Sequence, residues 1–289
     1  MQQLGRLTHM RVAPHTRVAP APEPALLSRS ALPAATRSPP CPRRRAAGSA
    51  ARPRPRGPAP AAAPSDYDNP ALYTSEDAFS LSSYWDARYR REGGAPFEWY
   101  RDWGSLESIL SRHLDKSERL LHVGVGTSRI QYQMHLDGYR DIVNVDYAPV
   151  CIQQLSALHA GVPGLSYEVA DCRSMPQYGD ASFGGLLDKG TLDALLCGES
   201  EEADSLAMLL ECQRVLAPGS SYVCITWQPP RARLPYLQHP GLGWGVEFYE
   251  VGQQGAREGP VAVAGAAEGV VEAFPRMSYS HFVYVCTKR

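Results

Sequence analysis

The first 64 residues contain no Lys and a single acid, Glu23, against eleven Arg, and they hold thirteen of the chain's 25 prolines. A stretch so poor in large apolar side chains, and so often interrupted by a residue without a backbone N–H, has no means of building a packed core. Residues 1–64 are therefore expected to be a disordered Arg/Pro/Ala-rich extension. Their acid-poor, Arg- and Ser-containing composition also fits an organelle transit peptide, which would direct the protein to plastid or mitochondrion; without that role a cytoplasmic protein is expected.

Other absences narrow the function. The seven cysteines (Cys41, Cys151, Cys172, Cys197, Cys212, Cys224 and Cys286) form no C-x-x-C pair, and no histidines cluster beside them. This argues against a zinc site and a disulfide framework, so no metal is expected and a reducing compartment is the default. No apolar run approaches the roughly 20 residues of a spanning helix, so no membrane partner is expected. From Ser65 onward the chain has 18 basic and 29 acidic residues, a formal charge of −11. Phosphate backbones are bound through Lys and Arg, so a nucleic-acid partner is not expected either. A monomer is expected.

The remainder, 65–289, reads as one α/β domain. β-like runs at 119–125, 141–147, 165–170, 183–188 and 221–227 alternate with helical stretches at 128–138, 148–160 and 204–216. Parallel neighbours need crossover helices, so this alternation predicts a mostly parallel sheet with helices on both faces. Two late runs, 244–251 and 279–287, have no helix between them and predict a C-terminal antiparallel hairpin. The Gly- and Ala-rich insertion 252–275 would be its long loop. Ahead of the first strand lie two aromatic segments, SSYWDARYRR and PFEWYRDW, which predict an N-terminal aromatic lid at about 80–103.

In such a sheet the ligand sits at the carboxyl ends of the strands. The first strand ends in HVGVGTSR, where Gly124 and Gly126 allow backbone to approach a ligand. Asp146 ends the second strand twenty residues beyond Gly126, the place for an acid that accepts hydrogen bonds from both ribose hydroxyls. A dinucleotide loop requires a small residue three positions after Gly126, and the chain has Arg129 there. The third strand ends in Ala170-Asp171-Cys172, suited to the adenine amino group and a ring nitrogen. The set favours adenosine joined to an amino acid over a pyrophosphate.

The motifs YWDARY, PFEWY, DIVNVDY, LDKGTLDALL and ECQRVLAPG, with the late aromatic strands, resemble the lysine methyltransferases of translation elongation factor 1-alpha over about residues 80–289, apart from the insertion. That family belongs to the seven-strand, Rossmann-like, S-adenosylmethionine-dependent methyltransferases. The resemblance implies S-adenosyl-L-methionine as cofactor, with contacts at Trp85, Tyr89, Trp99, Gly124, Asp146, Tyr147, Asp171, Cys172 and Lys189, beside the loop glycine Gly126. It also implies N-methylation of lysine on a protein substrate, elongation factor 1-alpha-like if the chain is cytosolic. The family's G-C-G-N-S loop is Gly124-Val125-Gly126-Thr127-Ser128 here, a departure that falls on the grip on the methionine moiety.

Asp188 and Lys189 close an apolar run immediately before Gly190. On this reading Asp188, by its carboxylate or its backbone carbonyl, orients the incoming amine as the catalytic residue, and Lys189 anchors the cofactor's carboxylate or the strand end. A salt-bridged strand end without chemistry is the alternative. The aromatics Tyr84, Trp85, Tyr89, Trp99 and Tyr100 cover the sheet, each burial worth about 1.5 to 3 kcal/mol, and as a lid over a sulfonium they add about 0.5 to 2 kcal/mol. His122 reads as a packed strand residue, and His113, His135 and His159 as helix residues without partners. A small-metabolite methyltransferase and a cofactor-binding module without transfer remain the alternatives.

Overall fold

The computed structural model describes residues 76–252, 255–256, 260–262 and 280–289. The extension 1–64 and most of the insertion 252–275 lie outside the described residues. Seven strands carry the sheet: β1 (Arg119–Val123), β2 (Asp141–Asp146), β3 (Leu165–Val169), β4 (Phe183–Lys189), β5 (Leu216–Thr226), β6 (Trp244–Gly252) and, after two short strands, β9 (His281–Lys288). The short ones are β7 (Gly255–Ala256) and β8 (Val261–Ala262), both paired with β6. The order along the sheet is β3-β2-β1-β4-β5-β9-β6. The first five are parallel, and β9 runs antiparallel between β5 and β6.

The central strands are buried on both faces, which is why they read as unbroken apolar runs. Leu121, Val123, Val143 and Val145 face a cluster completed by Met208, Leu209 and Cys212 of α6 (Glu201–Val215) and Leu234 and Leu237 of α7 (Pro230–Leu237). Leu120, Ile142, Leu187 and Val223 face the other side, under α2 (Trp103–His113) and α3 (Ile130–Leu136). Asp102 starts α2 by accepting the Ser105 N–H at 3.1 Å, and Pro149 opens α4 (Pro149–Leu158), where its missing N–H costs nothing. The aromatic segment 82–92 is helix α1, ended by the left-handed Gly93. With α4 it encloses a third cluster containing Trp85, Tyr89, Cys151 and Ile152.

Register places the site. Val123 pairs with Val145 on one side and Asp188 on the other, and Asp188 pairs with Cys224. Gly124, Asp146 and Lys189 thus each stand one residue beyond a common row, at the carboxyl ends of three adjacent strands.

Three readings need correction. Strand β5 begins at Leu216 rather than 221: the LAPGSS run joins it through a register shift between Phe183 and Gly185. Gly255–Ala256 and Val261–Ala262, inside the presumed loop, pair with β6, which would otherwise leave backbone donors and acceptors unsatisfied. The histidines do have partners: His113 Nε2 lies 2.7 Å from the Tyr249 hydroxyl, and His159 Nδ1 lies 2.6 Å from that of Tyr167. His135 and His159 both stack on Tyr132. The partners of His113 and His159 come from other elements, so local sequence could not disclose them, whereas Tyr132 lies three residues before His135 in α3.

Candidate cofactor and transfer site

The turn after β1 is built around two left-handed glycines, Gly124 (φ 60°) and Gly126 (φ 54°), a conformation other residues adopt at a cost. A side chain at Gly124 would also place its Cβ 2.0 Å from Thr191 Oγ1, which is itself fixed by donating to the Val123 carbonyl at 3.0 Å. The glycine loop is thereby packed directly on the start of α5 (Thr191–Leu195). Asp146 lies under the loop: its Oδ2 accepts from Gly126 N–H at 3.0 Å and its Oδ1 from Ala148 N–H at 2.9 Å. Burial raises this carboxyl to about 6, against the pull of those two N–H donors.

The lid aromatics form one wall. The Trp85 ring stacks on Tyr89 at 5.7 Å and meets Trp99 edge-on at 6.2 Å, while the Arg88 guanidinium lies 5.0 to 5.5 Å from the Phe97, Trp99 and Trp85 rings. The wall is tied down by Trp85 Nε1–H donating to the Phe79 carbonyl at 2.7 Å. The half-buried Tyr147 follows Asp146 and directs its hydroxyl to the same carbonyl. A Cβ at Gly126 would come within 3.2 Å of the Tyr89 hydroxyl, so the wall stands directly over the loop. Cys172 is buried in the main core, and Asp171 beside it is chelated by Arg173, Nη2 to Oδ2 at 2.7 Å.

Asp188 is fully buried. Its Oδ2 accepts from the Tyr222 hydroxyl at 2.7 Å and its Oδ1 from Thr191 N–H at 2.8 Å, so the carboxylate fixes the start of α5 to the adjacent strand. Burial raises its pKa, and the bond from Tyr222 opposes the rise. Lys189 does not pair with Asp188. Its ammonium donates to Glu98 Oε2 at 2.8 Å and to the Trp99 carbonyl at 3.1 Å, with 2% of the side chain exposed. The strand end is thus ion-paired to the lid through Glu98, a partner that the sequence readings of Lys189 did not name.

Sequence reasoning missed three participants, Glu98, Asp193 and Arg233, and read Tyr100 only as a covering aromatic. Glu98 and Tyr100 stand in PFEWY, where the aromatic side chains carry the stronger local signal. Tyr100 adopts a left-handed backbone (φ 65°), a conformation that costs a bulky residue of order 1 kcal/mol or more, and its hydroxyl donates to Asp193 Oδ2 at 3.0 Å. The other Asp193 oxygen accepts from Thr226 Oγ1 and from the buried guanidinium of Arg233. A stranded pair of charges such as Asp193 and Arg233, forty residues apart, carries no local signal.

The predicted residues Trp85, Tyr89, Trp99, Gly124, Gly126, Asp146, Tyr147, Asp171, Cys172, Asp188 and Lys189 all lie at this end of the sheet or in the lid above it. They fit an adenosine joined to an amino acid: the loop is bare of side chains where backbone must approach, a buried carboxylate keeps lone pairs for hydroxyl donors, and the wall is aromatic. A family model described as a methyltransferase domain matches residues 121–224. Mouse EEF1A lysine methyltransferase 4 is 33% identical over 186 residues, which are 61% of this chain and 72% of that protein. Human eEF1A lysine and N-terminal methyltransferase is 33% identical over 221 residues, 75% of this chain; the chain spans 30% of that longer protein. A solved S-adenosylmethionine-dependent methyltransferase from Methanosarcina mazei matches at 14% identity and TM-score 0.41, over 62% of this chain and 97% of that one. With its glycine loop, buried strand-end Asp146 and strand order in place, the chain belongs to the S-adenosylmethionine-dependent methyltransferases, in the family that holds these EEF1A lysine methyltransferases, and S-adenosyl-L-methionine is its cofactor.

Proposed function

We propose that the chain N-methylates a lysine of a protein substrate, with elongation factor 1-alpha the leading target. The observation that carries this reading is the similarity to mouse EEF1A lysine methyltransferase 4 across 72% of that protein. The charge agrees: a chain with a formal charge of −11 from Ser65 onward attracts a basic target.

When bound, S-adenosylmethionine supplies a methyl group on a sulfonium, open to in-line displacement by an amine. The chain's own residues bind and orient. Asp146 accepts from the ribose hydroxyls, Asp171 and Cys172 hold the adenine, and Gly124 and Gly126 admit the methionine moiety. Trp85, Tyr89 and Trp99 exclude water. The end of β4 at Asp188 orients the amine, its carboxylate held still by Tyr222 and Thr191. Alignment of this kind supplies about 7 to 11 kcal/mol of a bimolecular barrier.

The test is radiolabelled methyl transfer from S-adenosylmethionine by the full chain onto purified elongation factor 1-alpha and onto fractionated cell extract, with mass spectrometry of labelled bands. Label on a lysine of elongation factor 1-alpha is expected. Label confined to the small-molecule fraction would overturn the protein-lysine reading in favour of a metabolite methyltransferase.

A further inference from the structure

One side chain in the lid has no place in the cofactor set, yet it bonds both Lys189 of that set and the end of the glycine loop. The Glu98 carboxylate receives three donors from two other segments: Ser128 Oγ–H and Lys189 Nζ–H reach Oε2, each at 2.8 Å, and Arg129 N–H reaches Oε1 at 2.5 Å. Ser128 and Arg129 close the glycine loop, and Lys189 ends β4. One residue earlier, Phe97 N–H donates to the Thr127 carbonyl at 3.2 Å, so two successive lid residues are stitched to two successive positions of the loop. One residue later, the Trp99 carbonyl takes the second bond from Lys189.

The charges make this junction more than packing. Lys189 is almost wholly buried, and burial pulls its pKa down while Glu98 pushes it up. A buried ammonium without a counter-charge either loses its proton or draws in water, so Glu98 is what lets Lys189 stay charged and fixed. Trp99 is held in turn by the same lysine.

We propose that Glu98 is a positioning residue for the methyl transfer, which locks Trp99 and Lys189 over the glycine loop and so builds the methionine end of the cofactor site. The proposal rests on the assignment of Trp99 and Lys189 as cofactor contacts. The adenosine end, held by Asp146, Tyr147, Asp171 and Cys172, is built on β2 and β3 and does not use Glu98.

Two ligands separate the ends. S-adenosylhomocysteine carries the amino-acid portion; 5′-methylthioadenosine keeps the nucleoside and thioether without it. Calorimetric titration of both into the full chain and its Glu98→Gln variant is expected to show S-adenosylhomocysteine weakened roughly ten-fold or more, the loss of one charge-assisted hydrogen bond, with methylthioadenosine changed by less than about three-fold. Glu98→Asp, which keeps the charge on a shorter arm, is expected to fall between, and it serves as the working variant should the glutamine form fail to fold. An unchanged affinity for S-adenosylhomocysteine overturns the proposal, as does equal weakening of both ligands, the mark of a general structural role. Tighter binding of S-adenosylhomocysteine also overturns it, since Glu98 would then compete with the ligand's own carboxylate for the three donors. If the wild-type chain binds neither ligand, the cofactor-site assignment fails and the proposal with it.

Discussion

Asp146 is a carboxylate whose surroundings leave its charge conditional near neutrality. Because its folded pKa is raised to about 6, the folded chain binds more protons than the unfolded one between about pH 4 and 6. The group therefore favours folding at low pH and loses that contribution as pH rises through about 6. Ligand binding has the opposite sign, since ribose hydroxyls donate to the ionised form. Affinity for S-adenosylhomocysteine should rise through pH 6 and level off above it, as followed by calorimetry from pH 5 to 8. Asp146→Asn should flatten that profile and weaken binding by about 1.5 to 3 kcal/mol, ten-fold or more; a flat wild-type profile would refute the assignment. Asp146 was legible because its type, strand-end position and distance from Gly126 are all local. Glu98 was not, because a glutamate in a loop announces nothing until Lys189, ninety-one positions away, is found bonded to it.

The turn from β4 into α5 shows how an element, rather than a single group, holds the reactive end. LDKGTLDALL brings Asp188 against Tyr222, Lys189 against Glu98, Thr191 against the Val123 carbonyl and Asp193 against Tyr100. The contacts reach three separate segments: β5, the lid and the end of β1. Asp188→Asn keeps the shape of this turn while removing its buried charge. If Asp188 orients the amine, turnover should fall about ten-fold or more while S-adenosylhomocysteine affinity stays within about three-fold, because the interaction is made chiefly in the transition state. Equal losses in both would make Asp188 a binding residue, and unaltered turnover would leave it a strand-end anchor. Most elements were readable from periodicity, since β1, β2 and β4 are apolar on both faces and short. What escaped was α7, whose prolines, including the interior Pro235, speak against a helix that packing nonetheless enforces, and the early start of β5, where a Gly-containing run normally read as a turn continues a strand.

At the scale of the whole molecule, composition divides the chain more sharply than any motif. The arginine-rich, proline-broken first 64 residues offer little apolar surface, so a 65–289 fragment should melt at the same temperature as the full chain and transfer methyl groups at the same rate. We propose a targeting role for the segment: fused to a fluorescent protein, residues 1–64 should accumulate in plastid or mitochondrion. A diffuse cytosolic signal would remove that role and leave the cytosolic elongation factor as target, and a large fall in melting temperature on truncation would show that the segment contributes to the fold. The position of β9 has a further bearing. This strand comes after β6 in the chain but lies between β5 and β6, bonded to both along its length. While the polypeptide is still emerging from the ribosome, β5 and β6 cannot meet through it, and two apolar strand edges wait unpaired until the last described residues arrive. Closure of the sheet thus waits on β9, and a variant lacking 281–288 would keep its cofactor loop intact while β5 and β6 lost the strand that joins them.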